Sequence, residues 1–201
     1  MGIGKTRRSD TIQRWKTESS MPFDLQPILS GELLGLRPLR SEDFHDLYAV
    51  ASDSLIWEQH PVHDRYKKEV FQKFFREALE SGGALIAIDS KTCAALGSSR
   101  FHGYDQEKSE IEIGWTFLAR SHWGGIYNRE MKQLMLRHTF KFVDSVIFLV
   151  GPQNVRSQRA VEKIGGARVG SKPDGDGRLS FVYQITAPAF RAAFGQQGAA
   201  P

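Results

Sequence analysis

Hydrophobic positions along this chain repeat at two spacings, one typical of helices and one of strands. Between Tyr66 and Leu79, apolar residues recur every three or four positions, which predicts a helix that ends at Gly82. Polar turns separate the next three apolar segments, which predict an antiparallel meander: residues 84–88, 94–101 and 110–118. Residues 32–39 alternate and predict a first strand, and Ser41 is expected to cap the helix after it.

The second half of the chain alternates between helices and strands. The pattern predicts a loop, a helix, a strand, a helix and a final hairpin: residues 119–127, 131–142, 145–150, 154–164, and 167–170 with 179–185. The strand at 145–150 is expected to run parallel to the preceding one, because a helix carries the crossover. These elements predict an α/β fold of the α+β type, with a mixed, mostly antiparallel sheet of six to seven strands and about four helices.

Length and composition fit a single domain. With 201 residues, of which 40% are hydrophobic, the chain can bury one ordinary core. Residues 1–20 are expected to be a flexible basic extension, residues 21–188 the folded domain and residues 189–201 a C-terminal tail. No apolar run approaches the ~20 residues that span a bilayer, so no membrane segment is expected. Without a secretory signal pattern, and with a single cysteine, the chain is expected to be cytoplasmic.

The net charge of +4 is concentrated at the N-terminus. Residues 1–20 hold five basic and two acidic side chains, so they contribute +3 of the +4. The remaining chain is nearly neutral and offers no broad cationic face, so nucleic acid is not an expected partner of the domain. The sequence does not fix the oligomeric state, and a homodimer remains compatible with it.

Two segments place a loop between a strand and a helix. Such a loop leaves backbone N–H groups free at a helix N-terminus, which suits a phosphate group. Residues 121–128 read Ser-His-Trp-Gly-Gly-Ile-Tyr-Asn and match neither a Walker A loop nor a dinucleotide fingerprint. A loop that needs two glycines only for its bend is the alternative interpretation. Residues 151–166 form the second segment, which directly follows a predicted strand.

The two segments together resemble the GNAT acyltransferase superfamily, particularly its branch of ribosomal-protein-alanine N-acetyltransferases. The resemblance extends over residues 34–185. The later segment matches the branch pattern Asn-x-x-Ser-x-x-x-x-x-Lys-x-Gly at four positions: Asn154, Ser157, Lys163 and Gly165. The earlier loop matches in part, since Ile126 replaces a glycine and Asn128 an alanine of the pattern Trp-Gly-x-Gly-Tyr-Ala. Gly125 is expected to supply the bend of this loop.

This resemblance implies an N-acetyltransferase that uses acetyl-CoA as acyl donor and needs no metal. It also implies a sheet that splays between the fourth and fifth predicted strands and receives the pantetheine arm there. The implied donor-binding residues are Thr116, Phe117, Leu118, Trp123, Gly124, Gly125, Ile126, Tyr127, Asn128, Asn154 and Ser157. For Asn154 the alternative role is a plain helix N-cap, and helical spacing predicts that Ser157 faces the core.

The resemblance places the catalytic base on the strand at 110–118. A base is needed because a free primary amine has a pKa of about 8 to 10. Strand alternation predicts two faces, one with Ile111, Ile113, Trp115 and Phe117 and the other with Glu110, Glu112, Gly114 and Thr116. Glu112 is the implied base, and an ordinary solvated face is the alternative for both glutamates. Ser157, Tyr127 or water is expected to protonate the leaving group.

The acceptor is expected to be a primary amine, on a small molecule or on a peptide or protein N-terminus. Trp57 and His60 lie where the superfamily places acceptor loops, and with Glu110 they are the predicted substrate-binding residues. The histidines lack metal-ligand spacing, so no metal site is predicted. The competing hypothesis is a non-catalytic module that binds or senses acyl-CoA, and the departures at Ile126 and Asn128 support it.

Overall fold

A computed structural model describes residues 22–194 of the chain. Its elements are, in chain order, β1 (Leu29–Ser30), β2 (Leu34–Pro38), α1 (Phe44–Ala51), α2 (Lys68–Glu80), β3 (Ala84–Asp89), β4 (Ala95–Asp105), β5 (Glu110–Leu118), α3 (Ile126–Thr139), β6 (Ser145–Val150), α4 (Val155–Glu162), β7 (Ala167–Pro173), β8 (Leu179–Thr186) and α5 (Ala187–Phe194). The predicted basic extension, residues 1–20, lies outside the described residues.

The strands form one mixed sheet in the order β1-β2-β3-β4-β5-β6-β8-β7. Every neighbouring pair is antiparallel except β5 and β6, which are parallel as the sequence predicts. Within residues 22–194 the sheet has eight strands rather than six or seven, because the two-residue strand β1 pairs with β2. The same region has five α-helices rather than about four, because residues 187–194 form α5.

The sheet opens between β5 and β6, which are the fourth and fifth strands predicted from the sequence. Their pairing covers only three positions, from Glu110 opposite Ser145 to Glu112 opposite Ile147. Beyond Glu112 the two strands diverge, which confirms the predicted splay. Residues 113–118 of β5 still pair with β4, and residues 148–150 of β6 still pair with β8. The main-chain groups on the two edges that face each other across the gap have no strand partner.

Each face of the sheet carries its own hydrophobic cluster. Helices α1 and α2 cover one face, where Trp57, Phe71 and Phe74 are buried. Helices α3, α4 and α5 cover the other face, where Met131 and Met135 pack against strand side chains. The splay therefore opens toward both layers of the domain.

A β-bulge in β5 changes the predicted distribution of side chains between its two faces. Arg100 of β4 lies opposite Gly114, but Ser98 lies opposite Phe117, so β5 holds one extra residue there. Trp115 is in that stretch and has φ of 51°. Beyond the bulge the alternation is reversed.

The expected faces are therefore wrong for three residues: Trp115, Thr116 and Phe117. Trp115 packs against the cluster that contains Trp57 and Phe74, not against that of Ile111 and Ile113. Phe117 packs with Trp57 and Phe74 on the same side as Glu112, with ring centroids 5.1 and 6.2 Å from its own. Thr116 instead contacts Lys132 of α3 on the opposite side. Period-two alternation holds only while the strand is regular, and the sequence does not reveal the inserted residue.

The ends of several elements also differ from the predictions; for example, the helix predicted at residues 131–142 is α3, which begins at Ile126 and ends at Thr139. Helix α1 begins at Phe44 after a 3-10 turn, and the carboxylate of Asp43, not Ser41, accepts the backbone N–H of Arg40 at 2.8 Å. At the other end of the chain, α5 buries Phe190 and Phe194 in the core. The packed region thus continues past residue 188, where the sequence predicts that the domain ends.

Candidate active site

A cavity of about 580 Å³ lies where β5 and β6 diverge. Most of the residues predicted for the site line it: Trp57, His60, Glu112, Thr116, Phe117, Leu118, Trp123, Gly124, Asn128, Asn154 and Ser157. Gly125, Ile126, Tyr127 and Glu110 do not line this cavity. The splay, the loop before α3 and the start of α4 thus meet at one place.

Glu112 is the last β5 residue that pairs with β6, and its half-buried side chain reaches the cavity. Burial raises the pKa of its carboxyl to about 7, although the positive charges of Lys172 and Arg100 oppose that rise. Near neutral pH this group exists in both protonation states. A carboxylate with such a pKa can accept a proton from a substrate at physiological pH.

Glu110 lies elsewhere, contrary to the expectation that both glutamates face the cleft. Its carboxylate accepts hydrogen bonds from the Ser145 hydroxyl and the Gln184 amide, both at 3.0 Å. These contacts join β5, β6 and β8 at the closed end of the splay. Glu110 therefore has a structural set of partners and no contact with the cavity.

The loop before α3 has its bend at Gly124, not at Gly125. Gly124 has φ of 71°, whereas Gly125 is extended and precedes the first helical residue, Ile126. Gly124 and Asn128 line the cavity, so the N-terminus of this 14-residue helix lies beside it. The first N–H groups of a helix have no intrahelical acceptor, which makes this end suited to an anion.

Two aromatic side chains fix this loop. The Trp123 indole N–H donates to the carbonyl of Leu118 at 2.8 Å, and the Arg156 guanidinium of α4 stacks 3.9 Å above the Trp123 ring. The Tyr127 hydroxyl lies 3.4 Å from the Asp89 carboxylate, away from the cavity lining. Trp123 thus ties the loop to the end of β5, and Tyr127 is not placed to protonate a leaving group.

Asn154 and Ser157 begin α4 at the other side of the cavity. Asn154 is 8% exposed, and its side chain accepts the backbone N–H of Ser157 at 3.1 Å, so the N-cap interpretation is confirmed. Ser157 is half-buried and lines the cavity together with the core residues Val161 and Ile164, so its side chain lies where the core meets the cavity. Helix α4 is short, and its first turn borders the open splay rather than a packed layer.

The predicted acceptor residues lie in the loop between α1 and α2. Trp57 is buried, and its indole N–H donates to the carbonyl of Ala51 at 2.7 Å. His60 accepts the backbone N–H of Val62 at 2.9 Å, and its Nε2 lies 3.0 Å from Arg65. Burial, with the charge of Arg65, lowers the pKa of His60 to about 3, so this imidazole is neutral at physiological pH.

Five cationic residues of the cavity lining were not predicted from the sequence: Arg65, Arg100, Lys132, Arg156 and Arg178. Lys132 of α3 is 5% exposed, and its ammonium donates to the hydroxyls of Ser99 and Thr116 at 3.1 and 2.5 Å. Burial alone lowers its pKa to about 7. Helical spacing could have indicated that Lys132 is buried, because it lies three residues before the buried Met135 and seven before the buried Thr139.

Replacing Lys132 with methionine is expected to stabilise the fold at low pH. At pH 6 the lysine is protonated in both the folded and the unfolded protein. Only the folded protein buries that charge, so the charge lowers the free energy of unfolding. As the pH rises from about 7, the pKa in the folded protein, to 10.5, the ordinary pKa, that cost is progressively lost. The free energy of unfolding should rise by about 2 to 4 kcal/mol at pH 6, with a smaller gain at pH 10, in urea titrations.

Lys141→Met, at an exposed position after α3, is the control and should change stability little at either pH. An equal gain for Lys132→Met at pH 6 and pH 10 would show that packing, not charge, sets the difference.

Among residues 22–194, no three His, Cys, Asp or Glu side chains group closely enough to hold a metal ion. Over the same residues, none of the helices has the length and apolar character that crossing a bilayer requires.

A mixed sheet opened at its parallel pair, with a half-buried carboxyl in the opening, defines an acyltransferase of the GNAT fold. The family model described as an acetyltransferase (GNAT) domain matches residues 34–167, well over half of the chain. The chain therefore belongs to the GNAT acetyltransferase family, and it is an enzyme that transfers acetyl groups. A comparison with curated proteins finds no match.

Solved structures share this fold at low sequence identity. A GCN5-related N-acetyltransferase from Brucella melitensis is 19% identical, with a TM-score of 0.73 over 89% of this chain and 88% of that one. A GNAT-family acetyltransferase from Bacillus anthracis is 24% identical, with a TM-score of 0.66 over 80% and 98%. Mycobacterium smegmatis RimJ, solved with CoA-disulfide, is 19% identical, with a TM-score of 0.60 over 82% and 90%.

Proposed function

We propose that this acetyltransferase moves the acetyl group of acetyl-CoA to a primary amine, on a small molecule or at a protein N-terminus. The observation that carries the proposal is Glu112, a carboxyl with a pKa raised to about 7 at the point where β5 leaves β6. A base at this position can take the proton that an attacking amine must lose.

The donor side of the cavity has features that fit acetyl-CoA. The opened edge of β5, residues 113–118, offers main-chain groups to an extended amide-containing arm such as pantetheine. The N-terminus of α3, with Gly124 at the cavity wall, offers N–H groups to a pyrophosphate. Asn154 and Ser157 line the cavity from α4 and lie on the proposed path of the arm.

The proposed reaction is direct attack on the thioester. The amine nitrogen forms a bond to the carbonyl carbon, the carbon–sulfur bond breaks, and the amine proton passes to Glu112, directly or through water. Backbone N–H groups near Phe117 stabilise the negative charge that develops on the carbonyl oxygen. The departing thiolate takes a proton from water or from Ser157, whose side chain lines the cavity, and the proton that Glu112 received passes to solvent and replaces it.

Release of free thiol from acetyl-CoA over a panel of primary amines tests this proposal. We expect amine-dependent thiol release and a matching acetylated product by mass spectrometry. Gly124→Val should raise the KM for acetyl-CoA by about tenfold or more, because a β-branched residue is strained by about 1 to 3 kcal/mol at this positive φ. Gly124→Asn is the control, since asparagine tolerates that conformation.

CoA binding without turnover of any amine would contradict the proposal and favour the non-catalytic acyl-CoA module. Equal KM values for the valine and asparagine variants would show that the Gly124 bend does not support donor binding.

A further inference from the structure

Four arginines line the cavity, and the proposed reaction uses none of them. Two of them, Arg65 from the loop before α2 and Arg100 from β4, lie against the same Phe74 ring. Arg100 is only 6% exposed, and its Nε and Nη2 have no hydrogen-bond partner. Among residues 22–194, neither arginine forms a salt bridge. Buried polar groups are normally paired, so this arrangement is incomplete without a further acceptor.

Aromatic rings hold both guanidinium groups in place. Arg65 lies 4.6 Å from the centroid of the Phe74 ring and 5.5 Å from that of Trp57. Arg100 lies 5.8 Å from the Phe74 centroid and 4.6 Å from that of Trp115. The two groups thus share one ring, and stacking gives them defined orientations before any ligand arrives.

The charges around the pair leave room for an anion. Burial lowers the pKa of Arg65 and of Arg100 to about 10, so both remain charged at neutral pH, and Arg100 contributes to the shift of Arg65. The carboxylates of Glu77 and Glu112 act on Arg100 only through space. Glu77, Asp176 and the positive charge of Arg178 act on Arg65 in the same way. Asp176 already pairs with Arg178, and Glu77 lies 3.9 Å from Lys73.

The strand register places the pair beside the proposed base. His102 lies opposite Glu112, and Arg100, two residues along the same strand, lies opposite Gly114. Residues two apart on a regular strand share a face, so Arg100 and Glu112 are diagonal neighbours, typically about 5 to 8 Å apart. If the reactive amine of a substrate lies at Glu112, a second group a few bonds away in the same molecule can therefore contact the Arg100 guanidinium.

We infer that the acceptor carries a carboxylate in addition to its reactive amine, and that Arg100 and Arg65 bind this carboxylate while the amine faces Glu112. The inference rests on the proposed function and specifies its substrate class. A carboxylate matches the planar donor set of a guanidinium and supplies the acceptor that Arg100 lacks. An acceptor without an anionic group would leave Nε and Nη2 of Arg100 without a hydrogen-bond partner.

The experiment compares acceptors that differ only in the anionic group, with the full chain and acetyl-CoA. One arm pairs free amino acids with their amides, and a second pairs short peptides that have Asp or Asn as second residue. We expect kcat/KM for the carboxylate member to exceed that of its partner by about 10- to 100-fold in one arm, and that arm identifies the source of the carboxylate.

Arg100→Gln should bring this ratio close to one through KM for the acceptor, with KM for acetyl-CoA unchanged. Arg65→Gln should reduce the ratio in part, and Arg100→Lys should give an intermediate value because it keeps the charge but loses the fork. Arg76→Gln, an exposed arginine of α2 outside the cavity, is the matched control. Thermal melting of each variant shows whether it is folded.

A direct binding measurement keeps the inference testable without turnover. In calorimetry with CoA-saturated protein, an N-acetylated amino acid or peptide with a free carboxylate should bind at least tenfold more tightly than its amide, and Arg100→Gln should remove the difference. Equal affinities, or a preference that survives in folded Arg100→Gln, would overturn the inference. Acetylation of amines with no carboxylate preference would overturn it while the proposed function stands, whereas carboxylate binding without acetylation of any amine would reject only the proposed function.

Discussion

Glu112→Gln is expected to lower kcat by about 10² to 10⁴, the usual contribution of a positioned general base. Glutamine keeps the size of the side chain but cannot accept the amine proton. In the wild-type enzyme, kcat/KM should rise with pH around the raised pKa of about 7, because only the ionised carboxylate is a base. The variant should lose that rise in kcat/KM. It should keep the second rise, at about pH 8 to 10, where the amine itself loses its proton.

The pH profiles of both proteins, measured under conditions limiting in acceptor, test this expectation. Glu110→Gln is the matched control, since it makes the same chemical change on the same strand outside the cavity. If Glu112→Gln retained wild-type kcat with an unchanged pH profile, the base would be another group or water alone.

Gly97→Ala is expected to destabilise the domain by about 3 kcal/mol or more, because overpacking and backbone strain would add. Gly97 has φ of 156°, and a Cβ built there would lie 2.0 Å from the carbonyl oxygen of Phe117. Relief of this clash must push β4 away from β5 at the bulge. Acetyl-CoA binding should weaken as well, since the same main chain lines the cavity.

Urea denaturation and the KM for acetyl-CoA measure the two effects. Gly170→Ala on β7 is the control, because nothing lies within 4 Å of its built Cβ and its φ is not in the left-handed range. Wild-type stability in Gly97→Ala would mean that β4 and β5 do not approach each other closely at this position.

The periodic part of the sequence predicted the fold well. Strands β5 and β6 have the predicted bounds, because their apolar runs are framed by clear turns. The parallel pairing also followed from the intervening helix, α3. Strand β1 was missed because two residues are too few to show alternation, and α5 was uncertain because its sequence is rich in alanine and contains proline.

The candidate site was less predictable, because several of its properties depend on single-residue details of register. One extra residue at the bulge moved Trp115, Thr116 and Phe117 to faces opposite to those expected. Arg65 and Arg100 come from separate elements and carry no local motif, so only the folded chain brings them to one ring. Gly124 and Gly125 are adjacent, and composition alone does not tell which adopts the positive φ.

The short pairing of β5 with β6, where the splay begins, also separates two functions along the chain. The groups proposed to recognise the acceptor, Arg65, Arg100 and Glu112, all precede the end of β5. The helix N-termini proposed to hold the donor, those of α3 and α4, all follow it. Mutations of these acceptor-binding side chains therefore fall in a different stretch of chain from mutations of the two helix N-termini, while the opened edge of β5, residues 113–118, serves the donor from between them. Such a division lets evolution or protein engineering change what is acetylated while the source of the acetyl group stays the same.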